Sequence, residues 1–332
     1  MTGRQDGSVV VIGAGILGCS IAVHLADRGV LPVLVDAERP GQGTSSGSFA
    51  SVSAFGKDPA AWFQLACAGV SGWTRFAERL GGQVGLRRAG EVRWAADPAE
   101  GRRLAALTAG SRERGYPVRP VDRAELARLL PGARIGPVAA TSFAPNDGQV
   151  EPPLVLAACR AVLEEAGAEL VSGRARVHLD DDGVRVEVGE AVLRPRTCVL
   201  AAGAEAVQVA AAVGLEVPTV ASPGMLVQTR PLPPLTDRVV YPPGPGRRCT
   251  CASGPTGRCW WGSGPRRRWP ATPGSTTRGC CSPRRPGSSP SWPGPGWTGG
   301  GWPTGPCRPT GCRSSAPCPG WTSCTWRSAT AG

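Results

Sequence analysis

Ser8-Val-Val-Val-Ile-Gly-Ala-Gly-Ile-Leu-Gly18 is the stretch that decides the fold of this chain. Residues Ser8 to Ile12 predict a short strand buried on both faces, because an unbroken β-branched run leaves no polar side for water. Glycines follow at Gly13, Gly15 and Gly18, and Cys19 to Arg28 carries a helical pattern that stops at Gly29. Val33-Leu-Val-Asp36 is a second buried strand. Together they form one β-α-β unit, which predicts an α/β fold around a parallel sheet covered on both faces. In that unit Gly13 permits the tight turn, Gly15 lets a pyrophosphate approach the backbone, and Gly18 lets helix pack on strand. The helix N-terminus then faces the phosphates. Asp36, 23 residues after Gly13, places a carboxylate where a ribose can donate hydrogen bonds to it.

Working outward, a Gly- and Ser-rich loop (Gly41 to Ser53) leads to Asp58-Pro59, read as a helix cap with a first-turn proline. Trp62, Ala66, Val70, Trp73, Ala77 and Leu80 recur at three- and four-residue spacing, the apolar stripe of an amphipathic helix. Val84 to Ala96 reads as strand, Ala99 to Gly115 as helix, and Asp122-Arg-Ala-Glu125 as a capping box opening a helix to Leu130. Asp147-Gly148 reads as a turn and Pro153 to Ala166 as a helix. Ala175 to Leu179 and Val184 to Val188 alternate as a hairpin across Asp180 to Gly183, and Thr197 to Ala202 is another buried strand.

The chain has 332 residues and a formal charge of +12, from 37 basic and 25 acidic side chains. At 41% apolar it is long enough for one or two packed domains, which excludes disorder throughout. All 25 acids lie in the first 244 residues, balanced there by 25 bases, so the excess belongs to the tail. The first part carries four scattered cysteines without a C-x-x-C pair, no signal-peptide pattern, no bilayer-length apolar run and no zinc spacing or nucleophile elbow. These features predict a cytoplasmic protein with free thiols, no membrane span and no metal site. His24, on the glycine-loop helix, and His178, in the hairpin, read as structural or surface histidines, and Asp180 to Asp182 as a solvated turn.

Val11 to Gly18, Val35-Asp-Ala-Glu-Arg-Pro-Gly41, Gly43-Thr-Ser-Ser46, Asp147-Gly148 with Glu151-Pro152, and Val199-Leu-Ala-Ala-Gly-Ala204 occur in that order. The ordered set resembles the D-amino-acid oxidase, glycine oxidase and sarcosine oxidase group of FAD-dependent oxidoreductases, over residues 8–241. The resemblance implies a Rossmann-like FAD-binding domain (8–56 and 146–222) interleaved with an α+β substrate domain (57–145, returning at 223–244). Gly13, Ala14, Gly15, Ile16, Leu17 and Gly18 would then serve the FAD pyrophosphate, and Asp36 with Ala37 the adenosine ribose. Arg39, Thr44, Ser45 and Ser46 would wrap the diphosphate and the flavin side, while Ser48 departs from the Asn or Arg common in the group. Val177 would meet adenine through its backbone, and Ala202 and Gly203 would form the second crossing beside the cofactor. The implied reaction is oxidation of a C–N bond in an amino acid or secondary amine, by hydride transfer to flavin and hydrolysis of the imine. The electron acceptor is left open, as is an NAD-dependent dehydrogenase built on the same glycine loop. In this group an Arg from the C-terminal half pairs with the substrate carboxylate, so no catalytic residue is assigned here.

The last 88 residues are of another kind. They use only Pro, Gly, Arg, Cys, Trp, Thr, Ser and Ala, with Pro and Gly making 32 of them. Without aliphatic side chains such a segment cannot offset its ordering entropy, which predicts an irregular tail (245–332). A Cys framework or an Arg-rich nucleic-acid tail explains neither nine cysteines nor the eight-letter alphabet. A codon argument does. Of the 37 basic residues 36 are Arg, as in a GC-rich gene, where the usual Leu and Val codons CTG and GTG read out of register yield Trp and Cys. Trp260-Trp261-Gly262 reads as Leu or Val followed by Val-Gly in the neighbouring frame. The expectation is a frameshift near Pro242 to Arg248 with an out-of-frame tail beyond it; the alternative to an active oxidoreductase is then a non-catalytic remnant with a partial dinucleotide site.

Overall fold

The computed structural model describes residues 9–38, 41–48, 50–219, 225–228, 236–243 and 260–263. All of them fall in one compact unit. The chain begins β1 (Val9–Ile12), α1 (Ile16–Ala26), β2 (Val33–Asp36), as the opening stretch dictates. It continues through β3 (Ser51–Val52), α2 (Ala60–Arg79), β4 (Glu91–Ala95), α3 (Pro98–Glu113), α4 (Arg123–Leu129), β5 (Ala140–Ala144) and β6 (Gly148–Gln149). The next elements are α5 (Pro152–Glu165), β7 (Glu169–Ser172), β8 (Ala175–Asp180), β9 (Gly183–Val188), β10 (Ala191–Leu193), β11 (Thr197–Leu200) and α6 (Ala206–Ala211). Three short strands close the described chain: β12 (Met225–Gln228), β13 (Val239–Tyr241) and β14 (Trp260–Ser263).

A four-stranded parallel sheet in the order β11-β1-β2-β7 carries the glycine loop. Strand β1 is central, with Val11 beside Val199 and Leu34, so its side chains are buried on both faces. Val11 and Leu34 pack in a core with Cys19, Ala22 and Val23 of α1 and Val155, Cys159 and Leu163 of α5. Val10, Ile12, Val33 and Val35 face the other way, against Val177, Val186 and Val188 of the antiparallel sheet β10-β9-β8. One face of the parallel sheet is thus covered by helices and the other by a small sheet.

A second sheet, β13-β4-β5, is built by the long excursion between β3 and β6 together with the later β13. Val92 and Trp94 of β4 bury against Val121, Leu126, Leu130 and Val240 on one face. The alternation of a strand sends Glu91, Arg93 and Ala95 to the other face. The short pair β3-β6, with Ser51 opposite Gln149, ties this region to the loop that follows β2.

Several expected elements differ. The strand expected over Val84 to Ala96 is confined to β4, because Gly81, Gly82, Gly85 and Gly90 hold positive φ and break the ladder before it. Helix α2 starts after Pro59 without a side-chain cap; Asp58 instead pairs with Arg114. Its stripe is shifted: Phe63, Val70, Ala77 and Leu80 are buried, while Trp62 is 45% exposed under the Lys57 ammonium. At α4 only half the capping box forms. Asp122 accepts from the Glu125 amide at 2.6 Å, but the Glu125 carboxylate turns to Arg119. The tail from 245 lies outside the described residues except for β14, which pairs antiparallel with β12.

Candidate functional site

The glycine loop is held by contacts that leave no room for side chains. Gly13 has φ +104°, and a Cβ there would stand 2.4 Å from the Ala201 carbonyl oxygen. A Cβ on Gly18 would stand 1.7 Å from the Gly13 carbonyl oxygen, so helix and loop meet backbone to backbone. The Gly13 amide donates to the Val35 carbonyl at 2.7 Å, locking the turn across β1 and β2. Helix α1 then opens with no side-chain cap and no acidic residue in its first turn. Its N-terminal dipole is therefore offered to an anion, although the Ile16 amide itself donates to Ser45 Oγ.

Opposite the loop, Asp36 ends β2. Its Oδ2 accepts from the Ala14 amide at 2.6 Å and its Oδ1 from the Glu38 amide at 3.0 Å. The segment from Gly41 folds back on itself, with the Ser46 hydroxyl donating to the Gln42 and Gly43 carbonyls, and it brings Ser45 Oγ to accept from the Ile16 amide at 2.9 Å. These parts enclose a cleft of about 650 Å³ with a third wall from Ala201 to Glu205.

Most of the expected site residues come together here. Gly13, Gly15, Ile16, Leu17, Asp36, Ala37, Thr44, Ser45, Ala202 and Gly203 line the cleft, and so does Ser48. Three stand behind it: Ala14 is fully buried, Gly18 sits under the turn, and Ser46 closes its own loop. Val177 is not among the lining residues: its side chain is buried with Val186 and Val188, and Gly173 and Arg174, just before β8, and Ala175 at its start line the cleft. Arg39 lies outside the described residues. Neither histidine lines the cleft; His24 stacks on Phe76 and His178 pairs with Glu187.

A second constellation escaped the sequence reading. Asp147, read as a turn residue, is fully buried. It accepts from the Ser53 hydroxyl at 2.8 Å, from the Ala54 amide at 3.3 Å and from the Tyr116 hydroxyl. Burial above all, then the nearby Glu91 carboxylate, push its carboxyl up to about 6, against the pull of those three donors. On β4, Glu91 is buried and receives Arg93 Nε at 2.5 Å. The Arg93 guanidinium lies 4.4 Å from the rings of both Phe55 and Tyr241. The signal was present as two opposite charges at alternating positions of a strand whose other residues are apolar.

The sequence and the fold have clear relatives. Residues 8–282 match the sequence profile of the FAD dependent oxidoreductase (DAO) family. The chain belongs to that family. The cofactor of the family is FAD, which decides between the flavin and the nicotinamide readings of the glycine loop. Glycine oxidase of Geobacillus kaustophilus is 27% identical over 250 residues, 73% of this chain and 66% of that protein. The MnmC bifunctional protein of tRNA 5-methylaminomethyl-2-thiouridine biosynthesis from Stutzerimonas stutzeri is 32% identical over 210 residues, 60% of this chain and 30% of that protein. The chain thus spans less than two thirds of the curated relatives it matches. Among solved structures, Geobacillus kaustophilus glycine oxidase superposes with a TM-score of 0.71 at 24% identity, covering 77% of this chain and 71% of that one. L-proline dehydrogenase from P. horikoshii gives 0.70 at 20% identity, with coverage of 78% and 70%. These superpositions show the shared fold. No helix among the described residues is long and apolar enough to cross a membrane.

The residues present fit FAD. The backbone cradle at Gly13 has no space for a Cβ, Gly15 supplies no side-chain cap to the helix N-terminus, and Asp36 lines the same cleft at the end of β2.

Proposed function

We propose that this chain is an oxidoreductase that holds FAD in the cleft at Gly13 to Asp36 and oxidises the C–N bond of an amino acid or secondary amine. The observation that carries the reading is the uncapped N-terminus of α1 opening onto a cleft bounded by Gly13, Asp36 and Ser45. Leu17, 68% exposed at the cleft, is an apolar side chain left in place for a large ligand to cover. In this reading the Gly15 backbone, the α1 N-terminus and the Thr44 and Ser45 hydroxyls hold the diphosphate, with Ser45 kept in place by the Ile16 amide, and Asp36 holds the ribose. Bound FAD would supply a two-electron acceptor; the chain supplies position and a dry wall. Glycine oxidase and L-proline dehydrogenase, by their names, act on amino acids, and this supports a small amino-acid or amine substrate.

The test is direct. The purified full chain should retain FAD through gel filtration with a perturbed flavin spectrum, and anaerobic addition of glycine, sarcosine or proline should bleach it. Colourless protein that stays colourless after incubation with FAD would remove the assignment.

One observation favours a second reading, that of an inactive remnant. The tail alphabet lacks Leu, Ile, Val, Met and Phe, yet β14 at Trp260–Ser263 pairs with β12 where the neighbouring frame spells Leu or Val-Val-Gly. Against it, the family match in the given frame runs to 282, past the expected break at 242–248. A gene with one base restored in that interval should give a protein that is bleached by substrate while the present product binds FAD without turnover. Equal activity of the two would defeat the remnant reading.

A further inference from the structure

We infer that Arg174 and Glu205 form a clasp across the FAD cleft, one that slows entry and escape of the cofactor alike. The inference rests on the proposed binding of FAD between Gly13 and Asp36 and adds a control on its exchange.

The placement follows from the sheet. All four strands of β11-β1-β2-β7 run parallel, so their carboxyl ends share one edge, the edge at which open α/β sheets bind ligands. Arg174 stands two residues beyond β7 and Glu205 five beyond β11, the two outer strands. Three strand spacings, about 14 Å, separate those strands, and the inner strands between them carry the Gly13 turn and Asp36. Both side chains line the cleft, and Arg174 Nη1 meets Glu205 Oε2 at 2.9 Å. The pair therefore joins opposite walls of the site.

Each end is anchored through the backbone. The Gly173 amide donates to the Asp36 carbonyl at 2.8 Å and the Ala201 amide to the Ile12 carbonyl at 2.7 Å, so both parallel ladders extend toward the residues that carry the pair. The Glu205 amide donates to the Ala202 carbonyl at 3.1 Å and closes the short turn on its side. Only the two side chains need rotate for the mouth to open.

The pair is poorly suited to stabilising the fold. The Arg174 side chain is 66% exposed and that of Glu205 53%, and an exposed pair biases an equilibrium by about fivefold at most. A bias of that size suits a closure that must open at each exchange. Nor is Arg174 offered to the diphosphate, since its charge is already met by Glu205. A clasp that closes with or without a ligand beneath it cancels from the affinity and shows in both rates.

Stopped-flow flavin fluorescence on the full chain, first on mixing with FAD and then on diluting the complex, measures the two rates. Arg174→Gln and Glu205→Gln should each raise association and dissociation about two- to fivefold and leave the Kd within twofold. The charge-reversed pair, Arg174→Glu with Glu205→Arg, should return both rates to those of the unmodified chain. Raising NaCl from about 0.05 M to about 0.5 M should speed dissociation from the unmodified chain by the same factor and leave the two single variants unmoved. If Arg174 is instead a ligand of the diphosphate, the single variants move the affinity in opposite directions, Arg174→Gln weakening FAD and Glu205→Gln tightening it, and that result overturns the clasp. Failure of FAD uptake by every one of these chains removes the proposed function and the clasp with it, whereas FAD binding with unchanged rates in both single variants removes the clasp alone.

Discussion

Asp36 Oδ2 accepts a hydrogen bond from the Ala14 amide at 2.6 Å across the mouth of the cleft. The carboxylate that would bind a ribose therefore also fixes the loop that would bind the pyrophosphate. Asp36→Ala removes both functions at once. Charge-assisted hydrogen bonds contribute about 1.5–3 kcal/mol each, so the affinity for FAD should fall at least tenfold and by roughly a hundredfold where loop order is lost too. Asp36→Asn, which retains an acceptor oxygen for Ala14, should lose less. Equilibrium dialysis against FAD measures both variants; equal losses would contradict the double role.

The backbone contact under the glycine turn sets a sharper expectation. A methyl at Gly18 would stand 1.7 Å from the Gly13 carbonyl oxygen, and no side-chain motion relieves a clash with backbone. Gly18→Ala must push α1 off β1, and overpacking of this kind costs about 1–3 kcal/mol or more. Gly29 is a fair control. It has φ +77° and open space around it, so Gly29→Ala meets only the left-handed penalty of about 1–2 kcal/mol. Thermal unfolding should show the larger loss for Gly18→Ala, together with loss of FAD binding that Gly29→Ala does not share.

How much of this was legible in the residues depends on how local the determinant was. The β1-α1-β2 unit and Asp36 are set by short-range pattern, glycine sterics and strand ends, and they stand where the spacing places them. Strand β7 was missed because it is an edge strand, mostly exposed, with Glu169 and Ser172 among its four residues. Asp147 was misread because Asp-Gly is a turn signal by local chemistry; its burial depends on Tyr116 and Ser53, which are 31 and 94 residues away. Val177 was placed beside adenine through its backbone by resemblance; its side chain packs with Val186 and Val188, and the cleft is lined at the start of β8 by Ala175.

Buried thiols give a chemical readout of the parallel-sheet core. Cys19 and Cys159 are fully buried between α1 and α5, and burial pushes their thiols up to about 11 and about 12. Thiolate is the reactive form, so both should be inert at pH 8. Iodoacetamide on the native chain, followed by peptide mass spectrometry, should leave these two unmodified, and denaturant should expose them. Cys67, half-buried on α2 and less shielded, should react ahead of them. Early labelling of Cys159 would mean that α5 does not stay docked.

Asp147 should make stability depend on pH in a direction opposite to that of a salt-bridged carboxylate. Its ordinary value is 3.8, and burial followed by the Glu91 charge raise it to about 6 in the folded chain. Between roughly pH 4 and pH 6 the folded chain thus holds a proton that the unfolded chain has released. Stability from this group is therefore full below pH 4, falls as the pH rises through 6, and is level above that. Two units correspond to about 3 kcal/mol as an upper bound. Asp147→Asn stays neutral and keeps an oxygen for the Tyr116 hydroxyl, so it should lack this slope. Chemical denaturation of both chains at intervals from pH 4 to pH 8 should show the difference in unfolding free energy moving by about 2–3 kcal/mol in favour of Asp147→Asn as pH rises. Glu151, whose carboxyl burial also raises, is common to both chains and cancels in that difference. Parallel curves would show that Asp147 is ionised throughout, held by Ser53, Ala54 and Tyr116 more strongly than burial opposes it.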